Sequence, residues 1–189
     1  MMREQKITKK NCLLVLAGVA VILTVGCEFD NVPPNKYSVK LPGLIGHFYQ
    51  TADKGSDKGL RYDWTITYEK SARWPYVAEV QLDDGSTTQV KFQVYKIGDN
   101  YWGFAHQSGI TNSQTKSRQG NKYFCWKIRA SRTQFVAHIL DKSFFDKNPN
   151  IMPVNSTPEQ VVAFLELHAN SRGLFSNEKI ILNRIETSK

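Results

Sequence analysis

Apolar and polar residues alternate along much of the chain. The clearest case is segment 60–69, where every second residue is apolar, in the order Leu60, Tyr62, Trp64, Ile66 and Tyr68. Alternation with a period of two gives a strand one buried face and one wet face, as in an antiparallel sheet. Further candidate strands lie at 44–51, 76–82, 90–94, 101–106, 122–129, 134–140 and 178–185. The pattern therefore predicts a mainly β protein.

One late segment changes period. Residues 157–160 (Thr-Pro-Glu-Gln) place a capping Thr before a Pro at the first helical position and a Gln that can complete a capping box. Val161, Phe164, Leu165 and His168 then recur with helical spacing. A meander of strands, one helix and a closing strand predict an antiparallel up-and-down β-barrel with a C-terminal helix. A β-sandwich is the alternative fold.

The first 27 residues form a pattern of their own. Four bases and one acid within residues 1–10 precede an uncharged apolar run at 12–26, which is the arrangement of a secretory signal. The run has about 15 residues, fewer than the roughly 20 that span a bilayer as a helix. It ends in Leu23-Thr24-Val25-Gly26-Cys27, which resembles the cleavage box of bacterial lipoprotein precursors, although Leu23 stands one place early. A plain signal peptide or a short membrane anchor is the alternative.

The lipoprotein resemblance implies acylation of Cys27 with fatty acids such as palmitate and cleavage after Gly26. It divides the chain into a signal peptide at 1–26, a proline-containing tether at 27–42 and a single domain at 43–189. Glu28, where an Asp would favour retention in the inner membrane, indicates the outer membrane facing the periplasm. Cys125 would be the cysteine left for the folded domain, so no intramolecular disulfide is expected.

A second resemblance covers the domain. Residues 46–49 (Gly-His-Phe-Tyr) are similar to the Gly-x-Trp-Tyr opening strand of lipocalins, with Phe48 at the position of the Trp. The late helix, Leu174-Phe175 and the closing strand are similar to the end of the lipocalin chain. The resemblance implies a barrel that holds an apolar ligand and a packing arginine. Arg129, Arg132 and Arg184 are the candidates for that arginine.

The chain is rich in aromatic residues, at 12%. Such residues could line a cavity for an apolar or amphipathic ligand, or they could fill the barrel, because eight strands leave room for side chains or one small ligand. The candidate ligand-binding residues are Tyr62, Trp64, Trp102 and Trp126.

Charge is distributed unevenly. The net charge is +8, and segment 100–140, which includes a predicted polar loop at 107–121, contains no acid. Its bases form a candidate basic patch: Lys116, Arg118, Lys122, Lys127, Arg129 and Arg132. Such a patch suits anionic lipid headgroups or an acidic envelope protein. The predicted compartment argues against nucleic acid.

No catalytic or metal-binding set is visible. The histidines His47, His106, His138 and His168 have no local metal-ligand spacing, and the motifs of phosphate-binding loops and serine hydrolases are absent from the sequence. We therefore expect no enzyme, no cofactor and no metal. Two functions remain: a tethered carrier of an apolar ligand, and a non-catalytic lipoprotein that docks an acidic partner through a basic face.

Overall fold

The computed structural model describes residues 28–51, 61–81, 86–112, 122–151 and 155–186. Within these ranges the strands are β1 (Glu28–Phe29), β2 (Gly46–Thr51), β3 (Arg61–Tyr68), β4 (Tyr76–Gln81), β5 (Thr87–Ile97), β6 (Asn100–Asn112), β7 (Tyr123–Ala130), β8 (Gln134–Leu140) and β9 (Phe175–Arg184). The helices are α1 (Lys142–Lys147) and α2 (Pro158–His168), and short 3-10 turns lie at Asn35–Tyr37 and Pro42–Leu44.

The strands form a closed antiparallel barrel. Strands β2 to β8 pair with their neighbours in chain order, and β9 pairs with both β8 and β2. The short strand β1 lies outside this ring and pairs with the start of β7, beyond the part of β7 that pairs with β8. The predicted up-and-down, lipocalin-like barrel with a C-terminal helix is therefore confirmed, and the sandwich alternative is wrong.

The ring closes where β9 meets β2. Over the described residues, this seam pairs Phe48 with Arg184 and Tyr49 with Asn183, and the Ile185 backbone N–H donates a hydrogen bond to the His47 carbonyl oxygen at 2.9 Å. The Arg184 guanidinium lies over the Phe48 ring, 4.6 Å from its centre, and donates hydrogen bonds to the carbonyl oxygens of Gly43 (2.7 Å) and Ile45 (3.0 Å). Of the three candidates for the packing arginine, Arg184 is the one that meets the opening strand.

Gly46 makes room for this arginine. Its φ is +142°, in a region that L side chains rarely adopt, and a Cβ placed on it would lie 2.5 Å from Arg184 Nη1. The glycine that begins the lipocalin-like motif therefore serves a packing purpose, because a larger residue would displace the guanidinium from Phe48.

The predicted tether packs against the barrel over its described residues, 28–42. Phe29 is buried at 2% exposure in a cluster on the outer face of the barrel, and Ser38 forms a bridge with Tyr95 of β5. A proline-containing sequence suggests a free linker. However, transfer of the apolar Phe29 side chain from water to the barrel surface lowers the free energy, so this segment packs against the barrel. The folded unit consequently includes residues that the sequence assigns to a linker.

Two further differences concern local structure. Residues 107–112, predicted as part of a polar loop, continue β6 and pair with β5 at Thr111 and Ile110. Helix α1 was not predicted; its N-cap Asp141 accepts a hydrogen bond from the Ser143 backbone N–H at 2.8 Å. By contrast, α2 begins with the predicted capping box.

Helix α2 covers the outside of the barrel wall. Its buried residues Val161, Val162, Phe164 and Leu165 pack in one cluster with outward-facing side chains of β5, β6 and β7. That part of the wall is therefore apolar on both faces, and β7 is buried continuously from Phe124 to Ile128.

Replacement of Gly46 by Ala should lower the free energy of unfolding by about 1–3 kcal/mol, because a Cβ is strained at this φ and pushes against Arg184. Urea denaturation would measure the change. Gly43→Ala is the matched control: its Cβ would meet Ala130 Cβ at an ordinary 3.6 Å, so we expect a change within about 0.5 kcal/mol. Equal effects of the two substitutions would contradict the role given to Gly46.

Candidate functional site

The barrel interior holds three of the four predicted ligand-binding residues. Tyr62, Trp64 and Trp126 are at most 9% exposed and belong to the interior cluster. Trp126 lies over Gly103 of the neighbouring strand, where an added Cβ would approach the indole to 2.3 Å. The large ring therefore occupies the space that the glycine leaves open.

Little space remains inside. The void in the interior measures about 30 Å³ and is lined by apolar residues, among them Trp64, Phe92 and Trp126. This is about the volume of one water molecule, and a buried water needs two to four polar partners. Pockets for small ligands occupy roughly 300–1,000 Å³. The interior is therefore packed by its own side chains.

Trp102, the fourth predicted ligand-binding residue, lies on the other face of the wall. Its side chain is fully buried in the outer cluster beneath α2, where it stacks on Phe175 at 6.2 Å between ring centres. The prediction that it lines the same cavity as Trp126 is therefore wrong. On β6 the inward positions carry the small residues Gly103 and Ala105, opposite Trp126 and Phe124.

The residues of the predicted basic patch lie in different environments. Lys116 and Arg118 lie outside the described residues. Lys122 forms an ion pair with Asp30 in the N-terminal segment, and the hydrogen bond from Lys122 lowers the pKa of the Asp30 carboxyl. Arg132 is exposed in the connection between β7 and β8.

Lys127 is a structural cation. It is 6% exposed, and its Nζ donates hydrogen bonds to the Ala169 carbonyl oxygen (2.9 Å) and to Asn170 Oδ1 (3.3 Å) at the end of α2. A cation there satisfies terminal carbonyl groups and complements the negative end of the helix dipole. Burial lowers the pKa of Lys127, with a further contribution from Arg129. Lys127 is therefore largely unavailable to a partner.

Cations on the outside of β7 and β9 flank His138 of β8, and we call this row the cationic face. Lys127 pairs with His138, and His138 pairs with Lys179, while Arg129 lies two residues from Lys127 on the same side of β7. Burial lowers the pKa of His138, and the charges that lower it further all belong to cations: Arg129, Lys179 and Lys127. Arg129 and Lys179 are exposed.

A groove of about 420 Å³ lies elsewhere on the outside of the barrel. The N-terminal segment and the connection between β3 and β4 form its sides, and residues of β5 and β7 complete its lining. We call it the outer groove; the residues that characterise it are Tyr68, Lys70, Arg73, Trp74, Tyr95 and Tyr123. The sequence did not point to these residues as a set. The sequence feature that could have indicated this groove is the run Lys-Ser-Ala-Arg-Trp at 70–74, which places two cations and a Trp between two strands.

His106 extends the aromatic wall of the outer groove. Its ring lies 4.9 Å from that of Tyr123 and stacks on Trp74 at 6.5 Å. Trp74 and Tyr123 are themselves 5.9 Å apart. Burial lowers the pKa of His106, and Arg73 lowers it further, so this ring is neutral at physiological pH.

Comparison of the chain with protein-family models, with curated proteins and with solved structures found no match. Among the described residues, no group of three His, Cys, Asp or Glu side chains is placed to hold a metal ion. Within the same ranges, no helix is long and apolar enough to cross a membrane.

Trp64→Ala should lower the free energy of unfolding by about 3–5 kcal/mol, because it opens a cavity in a filled interior. Urea denaturation measures this loss. In parallel, a fluorescent fatty acid should not bind the wild-type protein. A small loss of stability together with fatty-acid binding would show that the interior opens in solution.

Proposed function

We propose that this protein is a lipid-anchored protein of the bacterial cell envelope whose barrel is a solid scaffold and which docks an acidic partner through its cationic face. The observation that carries the proposal is the row of Arg129, His138 and Lys179, in which every charge acting on the central histidine is positive. Because cations from β7 and β9 flank His138, this surface attracts anions over a Debye length of roughly 8–10 Å.

The filled interior weighs against the carrier hypothesis. A void of about 30 Å³ lined by apolar side chains leaves no room for a fatty acid unless the barrel expands. Expansion would expose or displace Trp64 and Trp126, which are close-packed, and protein cores resist such changes in volume. A docking function needs no such rearrangement, because the cations are already on the outside.

The position of the proposed anchor strengthens the docking hypothesis. Cys27 lies outside the described residues, but it is joined by one peptide bond to Glu28, which begins β1. A consecutive pair of Cα atoms is about 3.8 Å apart, so a lipid on Cys27 would hold the barrel close to the membrane surface. The nearest abundant anions would then be lipid headgroups, and we take these as the acidic partner. The Glu at position 28 favours the outer membrane, facing the periplasm.

Lipidation predicts that a fatty-acid analogue labels the wild-type chain and fails to label Cys27→Ser, which should also remain uncleaved. The reason is that a lipoprotein signal peptidase acts on the acylated cysteine. Cys12→Ser and Cys125→Ser are matched controls and should keep the label. Gel fluorescence of the expressed variants would measure it, and equal labelling of wild type and Cys27→Ser would refute the anchor.

Docking predicts that the chain from Glu28 onward, which contains every described strand, sediments with anionic vesicles and not with neutral ones at low salt. Each exposed cation contributes about 1 kcal/mol near such a surface. Charge reversal of Arg129 and Lys179 to Glu should therefore weaken the partition more than about tenfold. Lys91→Glu with Lys96→Glu, exposed on β5, which is separated from β7 by β6, changes the net charge equally and should have a smaller effect. Equal losses would indicate attraction by net charge alone.

A further inference from the structure

The outer groove has the shape and lining of a small-molecule site. Its volume of about 420 Å³ falls within the roughly 300–1,000 Å³ of ligand pockets. Trp74 and Tyr123 are half-buried, so their ring faces remain partly open to a bound molecule. Rings of this kind offer flat apolar contact area at little cost in conformational entropy.

A buried hydroxyl in the lining lacks a partner. Tyr95 is 0% exposed, and its hydroxyl has no hydrogen-bond partner within the described part of the chain. Leaving a buried hydroxyl unsatisfied costs free energy that replacement by an apolar side chain would avoid. Burial, with a contribution from Tyr123, raises the pKa of Tyr95, so the hydroxyl keeps its proton. Because this side chain is 0% exposed, a ligand oxygen reaches the hydroxyl only when neighbouring side chains of the lining shift.

The charges at the groove select the ligand. Lys70 and Arg73 line it and are exposed, and its lining contains no Asp or Glu among the residues that the structure describes. Glu69, the nearest acid along the chain, accepts a hydrogen bond from the Ser71 hydroxyl at 3.4 Å. The positive charges of Lys70 and Arg73 repel a cationic ligand. The polar Gln93 in the lining is a poor match for a purely apolar ligand.

We propose that the outer groove binds a small organic anion, a ring-bearing molecule that carries a phosphate group. The ligand ring packs against the open faces of Trp74 and Tyr123, and the phosphate oxygens meet the exposed Lys70 and Arg73. Once the side chains that cover the Tyr95 hydroxyl shift, that hydroxyl donates a hydrogen bond to an oxygen of the ligand. Arg73 suits this role, because a guanidinium can donate two parallel hydrogen bonds to phosphate.

This site is separate from the cationic face. On β7, Tyr123 of the groove and Lys127 of the face are four residues apart, which is roughly 13 Å along an extended strand. Loss of one activity therefore leaves the other measurable, and the groove proposal does not depend on docking.

Isothermal titration of phenyl phosphate into the full-length chain in a non-ionic detergent tests the proposal. We expect a dissociation constant of roughly millimolar order, as for a ligand of this size. Phenol lacks the charge and inorganic phosphate lacks the ring, so each should bind at least about tenfold more weakly. Arg73→Ala and Trp74→Ala should each weaken phenyl phosphate binding by a similar factor. No detectable binding of phenyl phosphate would overturn the proposal.

Tyr95→Phe supplies the sharper test. It should weaken binding of phenyl phosphate about tenfold, because a hydrogen bond to a charged group is lost. It should leave the melting temperature unchanged or raised, because the apo protein loses an unsatisfied hydroxyl. Tyr76→Phe is the matched control: its hydroxyl accepts a hydrogen bond from the Leu41 backbone N–H at 2.5 Å, and Tyr76 is not one of the described residues that line the groove, although its ring lies 5.0 Å from that of Tyr68. That variant should melt at a lower temperature and bind normally. Wild-type affinity in Tyr95→Phe would overturn the proposal.

The same phosphate chemistry could come from a free phosphate monoester or from a lipid headgroup. Competition distinguishes these sources once phenyl phosphate binding is measured. If micelles that contain phosphatidic acid displace phenyl phosphate from the wild type, the groove accepts a headgroup. If they do not, the ligand is a free monoester. Both results support an organic-anion site and assign its source.

Discussion

The closure of the barrel depends on the contact between Arg184 and the opening strand. Among the described residues, the seam of β2 and β9 has the fewest residue pairs of any pairing in the ring, and one further main-chain hydrogen bond joins Ile185 to His47. Arg184 adds two hydrogen bonds to carbonyl groups ahead of β2 and covers the Phe48 ring. Gly46 leaves the space that this arrangement requires. A closed ring has no free edge at the seam, and this in turn fixes how much volume the interior side chains must fill.

Once the ring is closed, its filled interior leaves the outer surface of the barrel for the two sites that we propose. The interior is filled by aromatic and branched side chains, with Trp126 lying over Gly103, so the barrel serves as a rigid frame. The frame is then covered on part of its outer surface by α2 and the N-terminal segment. These coverings bury Lys127 beneath the end of the helix and leave Tyr95 buried in the wall of a groove. Both surface sites thus follow from what packs against the wall.

Much of the fold was predictable from local pattern. The alternation on β3 and the capping box of α2 gave the correct elements, because each depends on residues close together in sequence. The missed elements have no such local signal. Residues 107–112 are largely polar and are held in β6 by pairing with β5, while α1 has six residues and too little length for a helical period. The segment at 28–42 reads as a linker until the barrel surface that buries Phe29 is known.

The sequence by itself determined the strand periodicity, the helix start and a local excess of positive charge. Tertiary structure decided which residues those features bring together. Trp102 and Trp126 are indistinguishable in sequence because α2 makes both faces of that wall apolar, so alternation no longer separates inside from outside. Lys127 and Lys179 are far apart in the chain, and only strand pairing with His138 places them in one row. Contacts between distant segments decide burial and charge pairing, and local sequence patterns do not encode them.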